Sequence, residues 1–224
     1  MKRTLKKLTR RYFPALFDLL KRRRYEKHVL PKEFVKHVRR LSKNDVVLDC
    51  GANVGLVSEF LARSGARVIS FEPNMTAFRE LESRSKKFPN IEVHNVAVST
   101  VNQTGKLYLH KDVDRENRLI LSEASSLLNN KPNVSSHIFE EIHEIDFAEF
   151  LKQFNFIELI KIDIEGFEIE VLNHLLDKQA VDNVGSIYVE THERKFKELA
   201  VPTQKLKARI ASAGHNNKFY FNWH

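Results

Sequence analysis

The segment at residues 158–172, ELIKIDIEGFEIEVL, places a dense set of carboxylates directly after a hydrophobic run. Asp163 and Glu165 follow its apolar first half, and Glu168 and Glu170 come a few positions later. Ligands bind outside the carboxyl ends of parallel strands, where a carboxylate can accept a proton or hold a divalent cation. We expect Asp163 to face the reacting atoms and Glu165 to contact it or the acceptor. Glu168 and Glu170 are expected to be solvated residues of the next helix.

A second acidic strand end lies at residues 186–192, SIYVETH. Glu190 ends an otherwise hydrophobic strand, and a buried carboxylate needs a partner. His192 follows two positions later, and histidine titrates most easily near neutral pH. Two roles stay open for these residues together with Asp163. Either His192 or Asp163 accepts a proton directly, or Asp163, Glu190 and His192 hold Mg²⁺ or Mn²⁺.

A glycine-rich turn follows the first predicted strand, in VVLDCGANVG. Asp49 lies near the end of that strand, and Gly51, Asn53 and Gly55 follow at alternate positions. Glycine lets the backbone approach a ligand closely, and the next helix begins with unpaired N–H groups. The spacing is neither the dinucleotide pattern G-x-G-x-x-G nor a phosphate-binding loop. It resembles the acidic-x-Gly-x-(Gly/Asn)-x-Gly turn of S-adenosylmethionine-dependent methyltransferases, which implies a cofactor contact for all four residues.

The ends of the next two predicted strands complete a nucleoside site. Glu72 lies 21 residues after Gly51, where a carboxylate can accept both ribose hydroxyls of a nucleoside. In the third strand we expect Ala97 to leave space for the adenine ring and Asn95 to bond to its edge. Together these positions predict S-adenosylmethionine as the cofactor.

Alternating strand-like and helix-like segments position these residues, which indicates βαβ units and a parallel sheet with helices on both faces. The predicted strands are 46–50, 67–72, 91–98, 157–163, 184–192 and 218–223, and the predicted helices are 56–65, 74–88, 147–154, 167–176 and 202–214. Residues 99–145 interrupt the alternation and are expected to form an insertion near the acceptor, with exposed strands at 105–110 and 137–145.

Composition predicts one soluble globular domain after a basic arm. Residues 1–45 contain 16 Lys and Arg against 4 Asp and Glu, whereas residues 46–224 contain 21 against 25. We therefore divide the chain into a helical arm, 1–45, and a catalytic domain, 46–224. The arm is expected to pack on the domain, to bind acidic polymers or partners, or to lie on an anionic membrane. The single cysteine and the absence of an apolar leader predict a cytoplasmic protein, with the inner face of the membrane as one location.

The motifs VVLDCGANVG, VISFEPN, NVAVS, ASSL, LIKIDIEGFEIEVL and IYVETHE resemble the FkbM family of S-adenosylmethionine-dependent O-methyltransferases over residues 45–195. The resemblance implies a class I, Rossmann-like methyltransferase fold with a seven-stranded, mostly parallel sheet whose last strand is antiparallel. It also implies methyl transfer to a hydroxyl, typically of a sugar in a glycan or glycosylated metabolite.

Two other functions compete with this interpretation. The basic arm favours a ribose 2′-O-methyltransferase acting on RNA, whereas the acidic body and the lack of an amino-methylating loop argue against nucleic acid. A nucleoside-binding module without catalysis is the second alternative. Salt-sensitive RNA binding would favour the RNA enzyme, and methyl transfer to any hydroxyl acceptor would exclude the module without catalysis.

Overall fold

The computed structural model describes residue 26 and residues 29–113, 125–129 and 133–223. In this part of the chain the elements are α1 (Lys32–Val38), β1 (Val46–Cys50), α2 (Leu56–Ala62), β2 (Arg67–Phe71), α3 (Met75–Ser85), β3 (Ile91–His94), β4 (Ala97–Ser99), β5 (Gln103–His110), β6 (Val134–Asp146), α4 (Phe147–Leu151), β7 (Ile157–Ile162), α5 (Glu168–Asp177), β8 (Val184–Val189), α6 (Ala200–Ser212) and β9 (Phe219–Tyr220). Two 3₁₀ turns, His192–Arg194 and Lys197–Leu199, lie between β8 and α6.

The main sheet has the strand order β3-β2-β1-β7-β8-β9, and every pair in it is parallel. β1 lies between β2 and β7, so the order of the strands reverses at β1. A ligand site is expected at such a switch point, beyond the carboxyl ends of the strands. The predicted Rossmann-like class is therefore confirmed.

The end of the sheet differs from the prediction of seven strands with an antiparallel last strand. The last strand described, β9, pairs with β8 in parallel, at Ile187 with Phe219 and Tyr188 with Tyr220. Six strands form this sheet in the described residues. Only two residues of the predicted strand 218–223 pair, and the chain then turns Trp223 into the core next to α1.

The predicted third strand, 91–98, is two strands in two different sheets. β3 pairs with β2, whereas β4 pairs with β6 in a smaller sheet of order β4-β6-β5. β5 and β6 contain the two strands predicted for the insertion, and they pair with each other in antiparallel orientation. The residues between them, 114–124 and 130–132, lie outside the described part of the chain.

Helices cover both faces of the main sheet, as predicted. On one face α1 and α2 bury Phe34, Val38 and Leu61 against β1, β2, β7 and β8. On the other face α4, α5 and α6 pack on β1, β7 and β8. Two predicted helix starts are confirmed by caps: Asn74 accepts the Thr76 and Ala77 N–H groups, and Asp146 accepts that of Glu149.

The end of the predicted basic arm belongs to the packed unit, since Phe34 and Val38 of α1 are buried. Residues 1–25 and 27–28 lie outside the described part, so the contacts proposed for them stay predictions. In the described residues none of the helices has both the length and the apolar character that crossing a membrane requires.

Candidate active site

A cavity of about 350 Å³ opens at the carboxyl ends of β1, β2, β7 and β8. Its walls combine the glycine turn, the ends of β2 and β7, and the start of the smaller sheet. Of the predicted site residues, Gly51, Asn53, Glu72, Ala97, Asp163, Glu165 and Glu190 line it. The structure therefore brings most of the predicted cofactor and catalytic positions into one space.

The backbone conformation and close packing of the glycine turn require glycine at two positions and favour asparagine at a third. Gly51 adopts φ +74°, and a Cβ placed there would lie 1.8 Å from the backbone oxygen of Asp163. Gly55 adopts φ +83°, and a Cβ there would lie 2.7 Å from Leu81. Asn53 takes the left-handed conformation at φ 48°, which asparagine tolerates better than most residues. The turn thus packs its backbone directly on the β7 end and faces the cavity.

Glu72 is held by two backbone N–H groups. Its Oε2 accepts from Asn53 and its Oε1 from Asn74, each at 2.8 Å. Burial raises the pKa of Glu72 to about 7, although both N–H donors favour the charged form. Each carboxylate oxygen has a second lone pair, so Glu72 can still accept hydroxyl groups from a ligand.

Two predicted cofactor contacts lie behind the cavity wall. Asp49 is fully buried, where its Oδ2 accepts the Ser58 hydroxyl at 2.6 Å. The Asn95 amide donates to the carbonyls of Glu72 and Pro73 at 2.8 and 3.0 Å. Asp49 therefore supports the turn from below, and its full burial argues against its predicted direct contact. Asn95 braces the backbone around Glu72, and its contact with the adenine stays a prediction.

Lys161 joins the glycine turn to the end of β7, and it was not among the predicted site residues. It is 2% exposed, and its Nζ donates to the Gly51 carbonyl at 2.8 Å. The same Nζ lies 3.4 Å from Asp49 Oδ1 and 3.4 Å from Asp163 Oδ2. A lysine on a core strand between two acidic positions was the available signal, since a buried ammonium requires partners.

The loop after β7 turns sharply within three residues. Glu165 adopts φ 57° and Gly166 φ 104°, so a non-glycine residue holds a left-handed conformation next to Asp163. The Ser126 hydroxyl donates to the Glu165 carbonyl at 2.7 Å, which ties the loop to residues 125–129. Backbone strain of this kind persists only where surrounding contacts enforce it.

Glu168 fixes the same loop from inside, contrary to the prediction that it is solvated. It is 1% exposed and accepts the N–H of Ile164 at 2.8 Å and that of Gly166 at 2.9 Å. Its Oε1 also lies 3.2 Å from His192 Nδ1. Glu170, in contrast, is exposed as predicted.

His192 lies behind the carboxylates and has no exposed side-chain surface. Its Nε2 is 3.5 Å from Glu165 Oε2, 3.8 Å from Asp163 Oδ1 and 3.9 Å from Glu190 Oε1. Burial alone would lower the pKa of His192, but its interactions with the Glu165 and Glu168 carboxylates outweigh burial and raise the pKa to about 10. His192 does not line the cavity, and its predicted role as the direct base stays a prediction.

Glu190 reaches the site because β8 ends beside β7. Its N–H donates to the Ile162 carbonyl at 3.0 Å, and its side chain has Lys195 as a partner at 3.3 Å. Burial and then the charge of Asp163 raise the pKa of Glu190. The expectation that this carboxylate has a partner is met by Lys195, which also lines the cavity.

Three of these side chains are close enough to share a cation. Asp163, Glu165 and His192 each offer one ligand atom, and these atoms lie within 4.8 Å of one another. The sequence-based set contained Glu190 in place of Glu165. Carboxylate oxygens with one imidazole suit Mg²⁺ or Mn²⁺. His192 Nε2 is buried and has no hydrogen-bond partner among the described residues.

A parallel sheet with a glycine turn after β1, a buried carboxylate after β2 and acidic groups after β7 and β8 is characteristic of Rossmann-like, S-adenosylmethionine-dependent methyltransferases. Comparison with protein families agrees. The methyltransferase FkbM domain matches residues 49–216, so the chain belongs to the FkbM methyltransferase family.

Individual relatives share shorter or weaker similarity. The chain is 41% identical to ribosomal RNA small subunit methyltransferase A of Thermotoga petrophila over 64 residues, which is 29% of this chain and 24% of that protein. It is 26% identical to AMB antimetabolite synthetase AmbE of Pseudomonas aeruginosa over 186 residues, 69% of this chain and 9% of that protein. It is 22% identical to Methyltransferase 1 of Beauveria bassiana over 169 residues, 66% of this chain and 65% of that protein. The chain thus spans about a quarter of the length of the first relative.

Solved structures show distant likeness. Precorrin 8W decarboxylase of Methanobacterium thermoautotrophicum aligns with a TM-score of 0.41 at 18% identity, over 79% of this chain and 72% of that one. Precorrin-6y C5,15-methyltransferase of Geobacter metallireducens aligns with a TM-score of 0.38 at 12% identity, over 82% and 73% of the two chains.

Proposed function

We propose that this protein transfers the methyl group of S-adenosylmethionine to a hydroxyl oxygen. One observation carries the proposal: Asp163, Glu165 and Glu190 converge in the same cavity that the glycine turn and Glu72 line. A nucleoside held at Glu72 leaves the β7 and β8 ends free for an acceptor. Carboxylates there suit an O–H group, which must lose its proton during transfer.

The chemistry requires alignment and one proton acceptor. The acceptor oxygen forms a bond to the methyl carbon while the carbon–sulfur bond breaks, and S-adenosylhomocysteine leaves. Holding oxygen, methyl and sulfur in line provides much of the rate. Asp163 is the acceptor of the hydroxyl proton in this proposal, because it lines the cavity and Lys161 holds its Oδ2.

A saccharide is the proposed acceptor. The acceptor side of the cavity offers three carboxylates and the Lys195 ammonium, so it can bond several neighbouring hydroxyl groups at once. Leu107 of the smaller sheet and Leu127 of the segment 125–129 add apolar contacts, which suit the C–H faces of a sugar ring. The family resemblance, which implies sugar hydroxyls, supports the same choice.

The proposal includes a divalent cation, Mg²⁺ or Mn²⁺, bound at the acceptor side of the cavity. Asp163, Glu165 and His192 would hold it, and Glu190 lies beside them. The buried His192 imidazole, whose Nε2 faces three carboxylates, is the observation that favours a cation. When bound, the cation would lower the pKa of the acceptor hydroxyl.

RNA is the second candidate acceptor, because the ribosomal RNA methyltransferase relatives are locally similar and residues 1–45 are basic. The carboxylates of the cavity would repel phosphate groups, which favours the saccharide. A test incubates the protein and labelled S-adenosylmethionine with nucleotide-linked sugars, lipid-linked saccharides, methyl glycosides and structured RNA in parallel. Labelled sugar supports the proposal, and labelled RNA alone overturns it.

The catalytic residue is tested by Asp163→Asn, with Glu170→Gln as the matched exposed control. We expect Asp163→Asn to bind S-adenosylmethionine and to lose methyl transfer by at least about 100-fold. Glu170→Gln should retain both. Retained turnover in Asp163→Asn would contradict the assigned role of Asp163.

A further inference from the structure

Lys161 is a buried cation that joins the glycine turn to the catalytic strand end. It belongs to β7, whose other residues from 157 to 162 are apolar except Glu158. Its Nζ contacts the Gly51 carbonyl at 2.8 Å and the Cys50 carbonyl at 3.3 Å. Removing an ammonium from water is unfavourable, and apolar residues of similar volume usually stabilise a core at least as well. Its presence therefore points to a functional requirement at this position.

The two carboxylate oxygens of Asp163 have different neighbours. Nζ lies 3.4 Å from Asp163 Oδ2, whereas Oδ1 is the oxygen nearest His192 Nε2, at 3.8 Å. Asp49 occupies the opposite side of Nζ at 3.4 Å and cannot turn away, because Ser58 holds its other oxygen. The ammonium thus fixes the rotation of the Asp163 carboxylate.

We propose that Lys161 is a positioning residue for methyl transfer: it holds Asp163 Oδ2, fixes the orientation in which this carboxylate lines the cavity, and aligns it with the cofactor turn. The proposal rests on the proposed function of Asp163. Lys161 itself lies beneath Asp163 and the Gly51 carbonyl and acts through them. This role differs from that of a purely structural ion pair, in which Lys161 would only neutralise the buried Asp49 carboxylate.

A misdirected carboxylate should slow the chemical step and leave binding nearly unchanged. Displacement of a catalytic group by about 1 Å can reduce turnover by about 100-fold. We therefore expect loss of Lys161 to lower kcat by about 100-fold, with the KM for acceptor and the Kd for S-adenosylmethionine within about threefold of wild type. A purely structural ion pair would change stability and leave kcat of the folded protein intact.

Lys161→Met keeps the length of the side chain but leaves Asp49 as a buried charge without its ammonium, so the test does not depend on this single variant. The double variant Asp49→Asn/Lys161→Met removes that charge as well, and Asp49→Asn is its reference. Lys218→Met is the matched control, because Lys218 Nζ also caps two backbone carbonyls, Val181 and Asp182, both at 2.9 Å.

The experiment measures melting temperature, Kd for S-adenosylmethionine by calorimetry, and kcat with the best saccharide of the acceptor panel. The expected result is that Asp49→Asn/Lys161→Met folds and binds cofactor, while its kcat is about 100-fold below that of Asp49→Asn. Equal kcat values for these two variants would overturn the positioning role alone. Wild-type protein that binds cofactor but methylates no hydroxyl would overturn the proposed function and this inference together.

Discussion

A Cβ on Gly51 would lie 1.8 Å from the backbone oxygen of Asp163 and 2.9 Å from its carbonyl carbon. The cofactor turn and the catalytic strand end are therefore in direct backbone contact. The Asp163 N–H also donates to the Cys50 carbonyl at 3.1 Å. Any change in the turn must move Asp163 as well, because backbone atoms cannot rotate away as a flexible side chain can.

Gly51→Ala should lower the free energy of unfolding by more than about 3 kcal/mol, since it combines a left-handed backbone with a clash against backbone atoms. Gly214→Ala is the matched control, because Gly214 has φ +77° and nothing within 4 Å of its Cβ position. That control should lose only about 1–2 kcal/mol from backbone strain. Denaturant unfolding measures both, and equal losses would mean that the Asp163 contact is unimportant.

Cofactor affinity should depend on pH through Glu72. Its pKa of about 7 in the free protein means that the carboxylate is protonated as the pH falls below 7 and then accepts fewer hydroxyl hydrogen bonds. About nine tenths of Glu72 is charged at pH 8 and about one tenth at pH 6, so the Kd for S-adenosylmethionine should rise about tenfold between them.

Glu72→Gln isolates this effect from other groups that titrate in the same range. The variant should bind S-adenosylmethionine more weakly at pH 8, and its Kd should change less between pH 8 and pH 6. Glu82→Gln, at an exposed position of α3, should keep the wild-type profile. Parallel pH profiles for wild type and Glu72→Gln would count against the ribose role.

Glu168→Gln should lower the free energy of unfolding by about 1–3 kcal/mol, because the amide of glutamine places a donor against backbone N–H groups. Glu168 accepts from Ile164 and Gly166 while buried, whereas Glu170 is exposed two positions later. Glu170→Gln should therefore change stability by less than about 0.5 kcal/mol. Denaturant midpoints compare the two, and an unaffected Glu168→Gln would show that the loop does not need this carboxylate.

Removal of divalent cations should abolish methyl transfer, and Mn²⁺ or Mg²⁺ should restore it. The electron paramagnetic resonance signal of Mn²⁺ measures binding directly, without an acceptor. Glu165→Gln should weaken Mn²⁺ binding by at least about tenfold, because the ligand atoms of Glu165, Asp163 and His192 are close enough to bind one ion. Turnover that is unchanged in excess chelator, or Mn²⁺ binding that Glu165→Gln leaves intact, would refute the cation site.

The parallel sheet and its acidic strand ends could be predicted because both follow from local patterns. The apolar runs before Asp49, Glu72, Asp163 and Glu190 mark strands, and parallel strands bring their carboxyl ends to one edge of the sheet. The caps Asn74 and Asp146 are likewise encoded within a few residues. These features needed no knowledge of distant contacts.

The errors concern contacts between residues far apart in the chain. Glu168 has the spacing of a solvated helix residue, and only the return of the loop to His192 buries it. The direction of β9 depends on pairing with β8 across α6, which a run of apolar residues does not specify. β3 and β4 were predicted as one strand because Asn95 does not interrupt the strand-like pattern of residues 91–98. The contact that separates them is distant, since Asn95 bonds to the Glu72 carbonyl.

Trp223 is the only tryptophan in the sequence, and it is part of the cavity wall. Its ring packs edge-on against Phe34, with centroids 4.6 Å apart, and lies 5.9 Å from Lys161 Nζ. The emission of this one indole therefore reports on the cavity without interference from other tryptophans. The protein carries a built-in fluorescent probe, and quenching or a spectral shift on adding S-adenosylmethionine would give binding curves for every variant without a label.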